Sequence, residues 1–327
     1  MRIQMSVSGR SFLIATWCLT MMFCSHVGAQ SLIPGTGTPL TKVGDDFEDP
    51  NWQYDYRLPK VYNNKETKIA QNSPGGISLN RRWYEGSKRG QPDSIRRVPT
   101  PPGGLLGSTG ALGLRSKMTG SNRPSFQQQQ DDFICNVAGR IGKISVSRSP
   151  SVVTRVWFPP FEQWEPRSGC HFAFRVAVET EGNGVMQRIG FRRFSSDEHP
   201  TESWPGFFIN LDYQPNRTPS ETAPNGPYRA YMWMKATDNG RQIRGPQINQ
   251  PGWWTLGISM TPDGRVHYYA RPGVGDLTAA DHIASATPFG KRTLRLRNFF
   301  YNVCSGDNGQ SWSAEFIVDD PQVFVLR

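Results

Sequence analysis

Residues Ser151–Glu179, SVVTRVWFPPFEQWEPRSGCHFAFRVAVE, carry the clearest structural pattern of the chain. Its first part, residues 152–158, is rich in β-branched and aromatic residues, and residues 171–179 alternate with a period of two. Such alternation is typical of a half-buried strand. The intervening residues 159–169 contain three prolines, which a central strand does not tolerate. The stretch therefore predicts two strands joined by a loop.

The second of these strands has two chemically different faces. One face carries Phe172, Phe174, Val176 and Val178. The other carries His171, Ala173, Arg175, Ala177 and Glu179. Because successive strand side chains point to opposite sides of a sheet, we expect the first set to be core and the second to be polar surface.

The whole chain continues this pattern of short alternating segments. It has 327 residues, with 33 glycines, 26 prolines and 12% aromatic residues, and no long stretch of helical periodicity. This composition favours many short strands with long connections. We expect an all-β fold, a two-sheet antiparallel β-sandwich with few or no helices. Residues 45–327 would form a single domain with long loops at 81–110, 119–131 and 159–169.

The first residues have the pattern of a secretory signal peptide. Arg2 and Arg10 precede the apolar run 12–24, and Val27-Gly28-Ala29 offers small residues for cleavage. The run is too short for a membrane span. We expect residues 1–29 to be removed near Ala29, residues 30–44 to form a flexible leader, and the protein to be secreted, periplasmic or on the cell surface.

Three short motifs carry a family resemblance. Residues 45–48 (DDFE) precede Trp52, residues 110–115 read GALGLR, and residues 315–323 read EFIVDDPQV. Together they resemble exported bacterial concanavalin A-like lectin/glucanase domains, which are jelly rolls, over residues 43–327. The resemblance implies a carbohydrate ligand and leaves the activity open.

Hydrolases of that family carry Glu-x-Asp-x-Glu on one strand, and this chain has no such motif. Its nearest equivalents are Glu179 with Glu181 and, in the proline-rich loop, Glu162 with Glu165. Two carboxylates flanking a glycosidic bond would act as acid and nucleophile. A solvated pair of acids beside a turn is the alternative.

A polysaccharide lyase instead needs a base and a cation that neutralises a uronate. His171 with Arg175 is one candidate pair, and His267 with Tyr269 is another. A polar, solvent-facing strand explains the same residues without catalysis.

Stacking on a sugar ring needs exposed aromatic side chains with polar groups at their rims. The candidates are Trp164, Trp204, Tyr231, Trp233, Trp253 and Trp254. Among them we assign ligand binding to Trp164, Tyr231, Trp233 and Trp254. Tyr231 and Trp233 alternate with Met232 and Met234, so one of these two sets is core.

The formal net charge of +10 favours an anionic partner. Arg295 and Arg297 alternate with leucines, so they point away from the core and could contact carboxylate or sulfate groups of a polysaccharide. No nucleic-acid-binding motif is present. A solvated basic surface is the alternative.

Two further sites follow from residue type. Asp45 and Asp46 near one terminus and Asp319 and Asp320 near the other would converge if the first and last strands are neighbours, and Asp46, Asp319 and Asp320 are our candidate ligands for structural Ca²⁺. No other cofactor is expected.

The three cysteines after the N-terminal segment allow one disulfide and one remaining thiol. Cys170 begins one predicted strand and Cys304 ends another. Because these two ends lie at the same level in an antiparallel pair, we pair Cys170 with Cys304.

Three functions are therefore open. The first is a non-catalytic, lectin-like protein that contacts polysaccharide or a surface glycan through aromatic and arginine side chains. The second is a divergent glycoside hydrolase or polysaccharide lyase of the same fold. The third is a structural or adhesive protein of the cell envelope. The sequence does not determine the glycan or the oligomeric state.

Overall fold

The computed structural model describes residues 32–61, 75–118, 130–182, 186–189, 192–195, 200–221, 224–235 and 241–326. In chain order its strands are β1 (Thr38–Pro39), β2 (Tyr54–Asp55), β3 (Ile77–Ser78), β4 (Trp83–Glu85), β5 (Ser94–Pro99), β6 (Gly110–Arg115), β7 (Gln130–Cys135), β8 (Ile144–Ser145), β9 (Ser151–Phe158), β10 (Gly169–Thr180), β11 (Met186–Ile189), β12 (Arg192–Ser195), β13 (Thr201–Ser203), β14 (Gly206–Tyr213), β15 (Tyr228–Lys235), β16 (Gln242–Ile248), β17 (Gly252–Met260), β18 (Val266–Pro272), β19 (His282–Ala286), β20 (Thr293–Cys304) and β21 (Phe316–Val325). One short helix, α1 (Val137–Ile141), and 3₁₀ turns at Val146–Arg148, Phe161–Gln163, Ala279–Asp281 and Pro288–Gly290 complete the described part.

The strands form two large antiparallel sheets. The eight-stranded sheet runs β19-β18-β17-β9-β21-β6-β5, with β1 paired to β21. The eleven-stranded sheet runs β16-β15-β14-β10-β20-β7-β4-β3-β2, with β13 on β10 and β8 on β20. β11 and β12 form a separate two-stranded sheet. The predicted two-sheet antiparallel β-sandwich is confirmed.

The core lies between the two sheets and is rich in aromatic rings. Phe172, Phe174, Val176 and Val178 are fully buried, as the alternation in β10 predicts. Phe172 packs on Phe316 of the opposite sheet, with ring centroids 5.0 Å apart. A buried hydrogen bond of 2.7 Å joins the hydroxyls of Thr154 and Tyr301 across the core. Burial of this one face fixes the register of β10, because a slip by one residue would exchange its two faces.

The proline-rich loop between β9 and β10 packs into the core. Trp164 is buried and donates its indole N–H to the carbonyl of Pro159, 2.9 Å away. The assignment of Trp164 to exposed ligand binding is therefore wrong. Its ring covers the end of the sandwich, where it contacts Phe316 with centroids 5.1 Å apart.

His171 is the exception to the alternation of β10. A bulge between Cys170 and Phe172 shifts the register against β14, and the His171 ring packs on Trp164 at 5.2 Å. The ring is fully buried, and its Nε2 lies 3.0 Å from the carbonyl oxygen of Arg167. Arg175 makes its contacts elsewhere on the sheet, so the predicted pairing of His171 with Arg175 is wrong.

The neighbouring tryptophans of β17 are both buried. Trp254 belongs to the core between the sheets, and Trp253 packs on the other face of its sheet and donates to the carbonyl of Pro101 at 3.3 Å. The loop at 101–104 therefore shields the ring that alternation places outside. The assignment of Trp254 to ligand binding is wrong for the same reason as that of Trp164, since neither ring is available to a ligand.

Two segments predicted to be irregular are part of the sheets. Thr38–Pro39 pairs with the end of β21 and Val43 is buried, so residues 32–44 are not a flexible leader. The predicted loop 81–110 contains β4 and β5. Residues 119–129 of another predicted loop, and the whole predicted signal peptide, lie outside the described residues.

No helix among the described residues is long and apolar enough to cross a membrane.

The packing of β10 predicts a large effect of truncation. Phe174→Ala removes a fully buried ring and should lower the free energy of unfolding by about 3–5 kcal/mol. Leu106→Ala is the control, because Leu106 is fully exposed, and should change it by less than about 0.5 kcal/mol. Urea unfolding followed by circular dichroism measures both values. Equal effects would contradict the assignment of Phe174 to the core.

Burial of His171 predicts a pH dependence of stability. Burial, together with the charge of Arg167, lowers the pKa of His171 to about 3. In the unfolded chain a histidine has a pKa of about 6.5, so below this pH the unfolded state binds a proton that the folded state does not. The free energy of unfolding should therefore fall as the pH drops from about 6.5 towards 3. His171→Gln removes the titrating group, so its stability should fall less over this window. Urea unfolding at three pH values compares the two proteins, and parallel curves would refute the prediction.

Candidate functional site

The outer face of the eleven-stranded sheet, turned away from the core, holds a groove with a cavity of about 540 Å³. β4, β7, β10, β14, β15 and β20 all contribute to it. We call this cavity the groove, and the side chains that matter below are Tyr84, Lys88, Arg89, Gln130, Asp132, Arg175, Glu202, Trp204, Phe208, Lys235, Arg297, Asn298 and Phe300.

Strand alternation explains why these residues face outward. In β20 the rings of Phe299 and Tyr301 are core, so Phe300 and Asn302 point to the groove face. In β7 the core residue Phe133 lies between Asp132 and Ile134, which line the groove. The aromatic core thus orients the polar groove from the opposite side of the same strands.

Arg175 lies on the floor of the groove and is buried. Its Nε and Nη2 donate to the carbonyl oxygen of Trp204 at 3.1 and 2.8 Å. Its guanidinium lies over the rings of Phe208 and Phe300, at 5.0 and 5.3 Å. Burial lowers the pKa of Arg175 to about 10, so the group remains charged at neutral pH.

Gly206 makes room for this arginine. It lies opposite Arg175 in the β10–β14 pair, and a Cβ there would come within 2.5 Å of the Arg175 Cγ. Any larger side chain at this position would displace Arg175 from the groove floor.

A series of side-chain hydrogen bonds connects Arg175 to Asp132. Its Nη1 donates to the side-chain oxygen of Asn302 at 3.4 Å, and the Asn302 amide nitrogen donates to Asp132 at 2.5 Å. Gln130 also donates to Asp132, at 3.2 Å. Burial raises the pKa of Asp132, although the charges of Arg175 and Arg89 oppose this effect.

Cations outnumber acids around the groove. Lys88, Arg89, Arg175, Lys235 and Arg297 line it, against Asp132 and Glu202. The pKa of Lys235 is lowered by burial and by the charges of Arg175 and Arg89. These cations therefore repel one another, and a bound anion would relieve the repulsion.

The groove also presents aromatic surface and neutral polar groups. Lys88 lies over the half-buried ring of Trp204 with its Nζ 4.3 Å from the centroid. Asn298 donates its amide to the Tyr84 hydroxyl at 3.1 Å, and burial raises the pKa of Tyr84 to about 12. The phenol is therefore a neutral hydrogen-bonding group at physiological pH.

Two predicted ligand-binding aromatics extend the same face of the sheet. Met232 and Met234 of β15 are core residues, so the alternating Tyr231 and Trp233 lie on the groove side of the sheet. Trp233 lies opposite Phe208 in the β14–β15 pair. Arg244 covers Tyr231 at 4.0 Å and lies 5.9 Å from Trp233. Tyr231 is consequently buried, whereas Trp233 keeps part of its ring accessible.

The predicted acid pair Glu179 and Glu181, at the end of β10 and just after it, is engaged with cations. Glu179 accepts from Lys143 at 2.5 Å and from Arg295 at 3.0 Å. Burial works to raise the pKa of Glu179, but these hydrogen bonds outweigh it and lower the pKa. Glu181 pairs with Arg292 at 3.6 Å. The two acids thus belong to separate ion pairs, which the groove lining does not include.

The two predicted arginines of β20 have different positions. Arg295 is exposed and binds Glu179. Arg297 lines the groove, where it pairs with Glu202 at 3.1 Å. Of the residues singled out in the sequence, Arg175, Trp204 and Arg297 are thus brought together in the groove.

The predicted calcium ligands lie near the bulge of β21. Asp320 binds Arg155 at 2.9 Å, and the buried Asp319 accepts from Ser108 at 2.9 Å. Asp46 caps the backbone N–H of Glu48 at 3.2 Å. In the described part of the chain no group of three or more His, Cys, Asp or Glu side chains is arranged to hold a metal. Arg155 supplies positive charge at this bulge, and the calcium site stays a prediction.

The predicted Cys170–Cys304 disulfide is not formed in the structure, where Cys135, Cys170 and Cys304 are free thiols. Cys170 and Cys304 are instead hydrogen-bonded to each other, near Arg175 of the groove floor.

Sequence reasoning missed Tyr84, Asp132 and Asn298 of the groove, and also Asn302, which links Arg175 to Asp132. Each lies next to a core residue in its strand, so the alternation of apolar and polar residues could have assigned it to the outer face. Asn302 follows Tyr301, and Tyr84 follows Trp83. What the sequence did not show was that β4, β7 and β20 are neighbours.

Comparisons with known proteins found similar structures only. No protein-family model matches the chain. No curated protein matches it either. Similar solved structures include a carbohydrate esterase from a Shiga toxin-encoding bacteriophage (10% identity, TM-score 0.41, covering 76% of this chain and 91% of that one). Others are an alginate lyase from Pseudomonas aeruginosa (7%, 0.39, 77% and 93%) and the carbohydrate recognition domain of Emp47p (10%, 0.33, 88% and 99%).

Proposed function

We propose that this protein is an exported, lectin-like β-sandwich that binds an anionic polysaccharide in the groove. The observation that carries the proposal is the convergence of five cations on a groove of about 540 Å³ that contains two acids. Both acids are already engaged, Asp132 by Asn302 and Glu202 by Arg297. The lining therefore carries an excess of positive charge, which would attract an anion.

The lining favours a sugar chain over a simple inorganic anion. The half-buried Trp204 and Phe208 provide apolar surface for sugar rings, and Gln130 and Asn298 provide amide groups for hydroxyls. Carboxylate or sulfate substituents on the chain would pair with Lys235 and its neighbours. Export is supported by the signal-peptide pattern of residues 1–29.

The charge asymmetry predicts selective binding of acidic polymers. Titration calorimetry should detect binding of polygalacturonate or dextran sulfate, while dextran, the uncharged counterpart of dextran sulfate, should give no heat. Affinity should fall as salt rises, because ionic contacts are screened. Equal affinity for dextran and dextran sulfate would instead indicate recognition by stacking alone and would overturn the anionic assignment.

A matched pair of variants locates the site. Lys235→Met removes one groove charge and should weaken binding of the acidic polymer about threefold to tenfold. Lys42→Met makes the same change at an exposed residue outside the groove lining and should leave affinity unchanged. Equal losses in both variants would show that binding depends on net charge and would refute the groove as the site.

A hydrolase is the second candidate, because the groove holds two carboxylates in different environments. Burial raises the pKa of Asp132, as a general acid requires, while Glu202 is exposed and paired with Arg297. Release of reducing ends from the bound polymer, abolished in Asp132→Asn, would assign this activity.

Binding of the polymer without release of reducing ends or unsaturated products would support the lectin-like function. Absence of binding to every polymer would favour the structural or adhesive alternative.

A further inference from the structure

Cys170 and Cys304 lie side by side at one end of the groove face. β10 and β20 are antiparallel, and Phe172 pairs with Val303, so the residues next to this pair meet at the same level. Cys304 follows the groove-facing Asn302 by two positions, and Cys170 lies opposite Asn210 of β14. Both side chains therefore leave their strands beside the groove.

The two thiols contact each other directly. Their side chains are hydrogen-bonded, and the Cys170 Sγ also lies 3.4 Å from the carbonyl oxygen of Phe172. Cys170 is half-buried, whereas Cys304 is 5% exposed. Cys170 is thus the more exposed of the two residues.

The surroundings stabilise negative charge on Cys170. The hydrogen bond from Cys304 lowers the pKa of Cys170, and the nearby cations Arg167 and Arg175 act in the same direction. The pKa of Cys304 is raised by the same contact and by burial. A thiolate, not a thiol, attacks a disulfide, so Cys170 is the better nucleophile of the two.

We infer that Cys170 and Cys304 form a redox-active pair in which Cys170 attacks and Cys304 resolves. The oxidant is a low-molecular-weight disulfide. The Cys170 thiolate attacks one of its sulfurs, forms a mixed disulfide and releases the first small thiolate. Cys304 then loses its proton to solvent and attacks the Cys170 Sγ, which closes the Cys170–Cys304 bond and expels the second small thiolate. The product ties the two central strands of the groove floor together.

The test uses the full chain in buffers of glutathione and glutathione disulfide, followed by alkylation and peptide mass mapping. A peptide linking Cys170 to Cys304 should accumulate as the buffer becomes oxidising, and mapping separates it from any product of Cys18 or Cys24. Cys135 is the internal control. It is fully buried, burial raises its pKa to about 12, and it should remain alkylatable only after unfolding.

Two variants test the order of attack. Cys304→Ser should accumulate a stable glutathione adduct on Cys170, because no resolving thiol remains. Cys170→Ser should form an adduct on Cys304 at least about tenfold more slowly. Equal rates in the two variants would overturn the assigned roles.

The unmodified protein provides a readout that does not depend on the folding of a variant. Iodoacetamide should label Cys170 at least about tenfold faster than Cys135 under native, reducing conditions. Failure to form the Cys170–Cys304 peptide in fully oxidising buffer, or formation of a Cys135-linked peptide instead, would refute the pair. Neither result depends on whether the groove binds a polysaccharide.

Discussion

The structure depends on the burial of one face of β10 and β20 against the opposite sheet. Phe172, Phe174, Phe299 and Tyr301 fill the core from these two central strands. Because side chains alternate, burying these rings forces Arg175, Phe300 and Asn302 to the outer face. A shift of one residue would bury the charges and expose the rings, so the core and the groove are specified by the same register.

The groove floor shows how a charge is held in a largely apolar setting. Arg175 is buried, which is unfavourable for a charged group unless it is hydrogen-bonded. The Trp204 carbonyl and Asn302 satisfy its N–H groups, and two aromatic rings lie against the guanidinium. This arrangement orients Arg175 rigidly, and a site built on paired strands is better preorganised than one built on loops.

The charged groups in and around the groove differ in how they are paired. Glu179, Glu202 and Asp132 each have a defined partner, whereas burial and the neighbouring cations disfavour the charged form of Lys235. The same strands bring Cys170 and Cys304 into contact beside this electropositive floor. The proposed ligand binding and the proposed thiol chemistry therefore involve the same pair of strands, β10 and β20.

Local alternation in the sequence is enough to predict the fold class, the core face of β10 and the outward direction of Arg297. Which polar residues meet depends instead on tertiary contacts. The bulge at Cys170 turned His171 into the core, the loop at 101–104 covered Trp253, and strand order brought Tyr84 and Asp132 to Arg175. A period of two assigns a residue to a face, but strand neighbours, bulges and covering loops depend on contacts distant in the chain, which local periodicity does not encode.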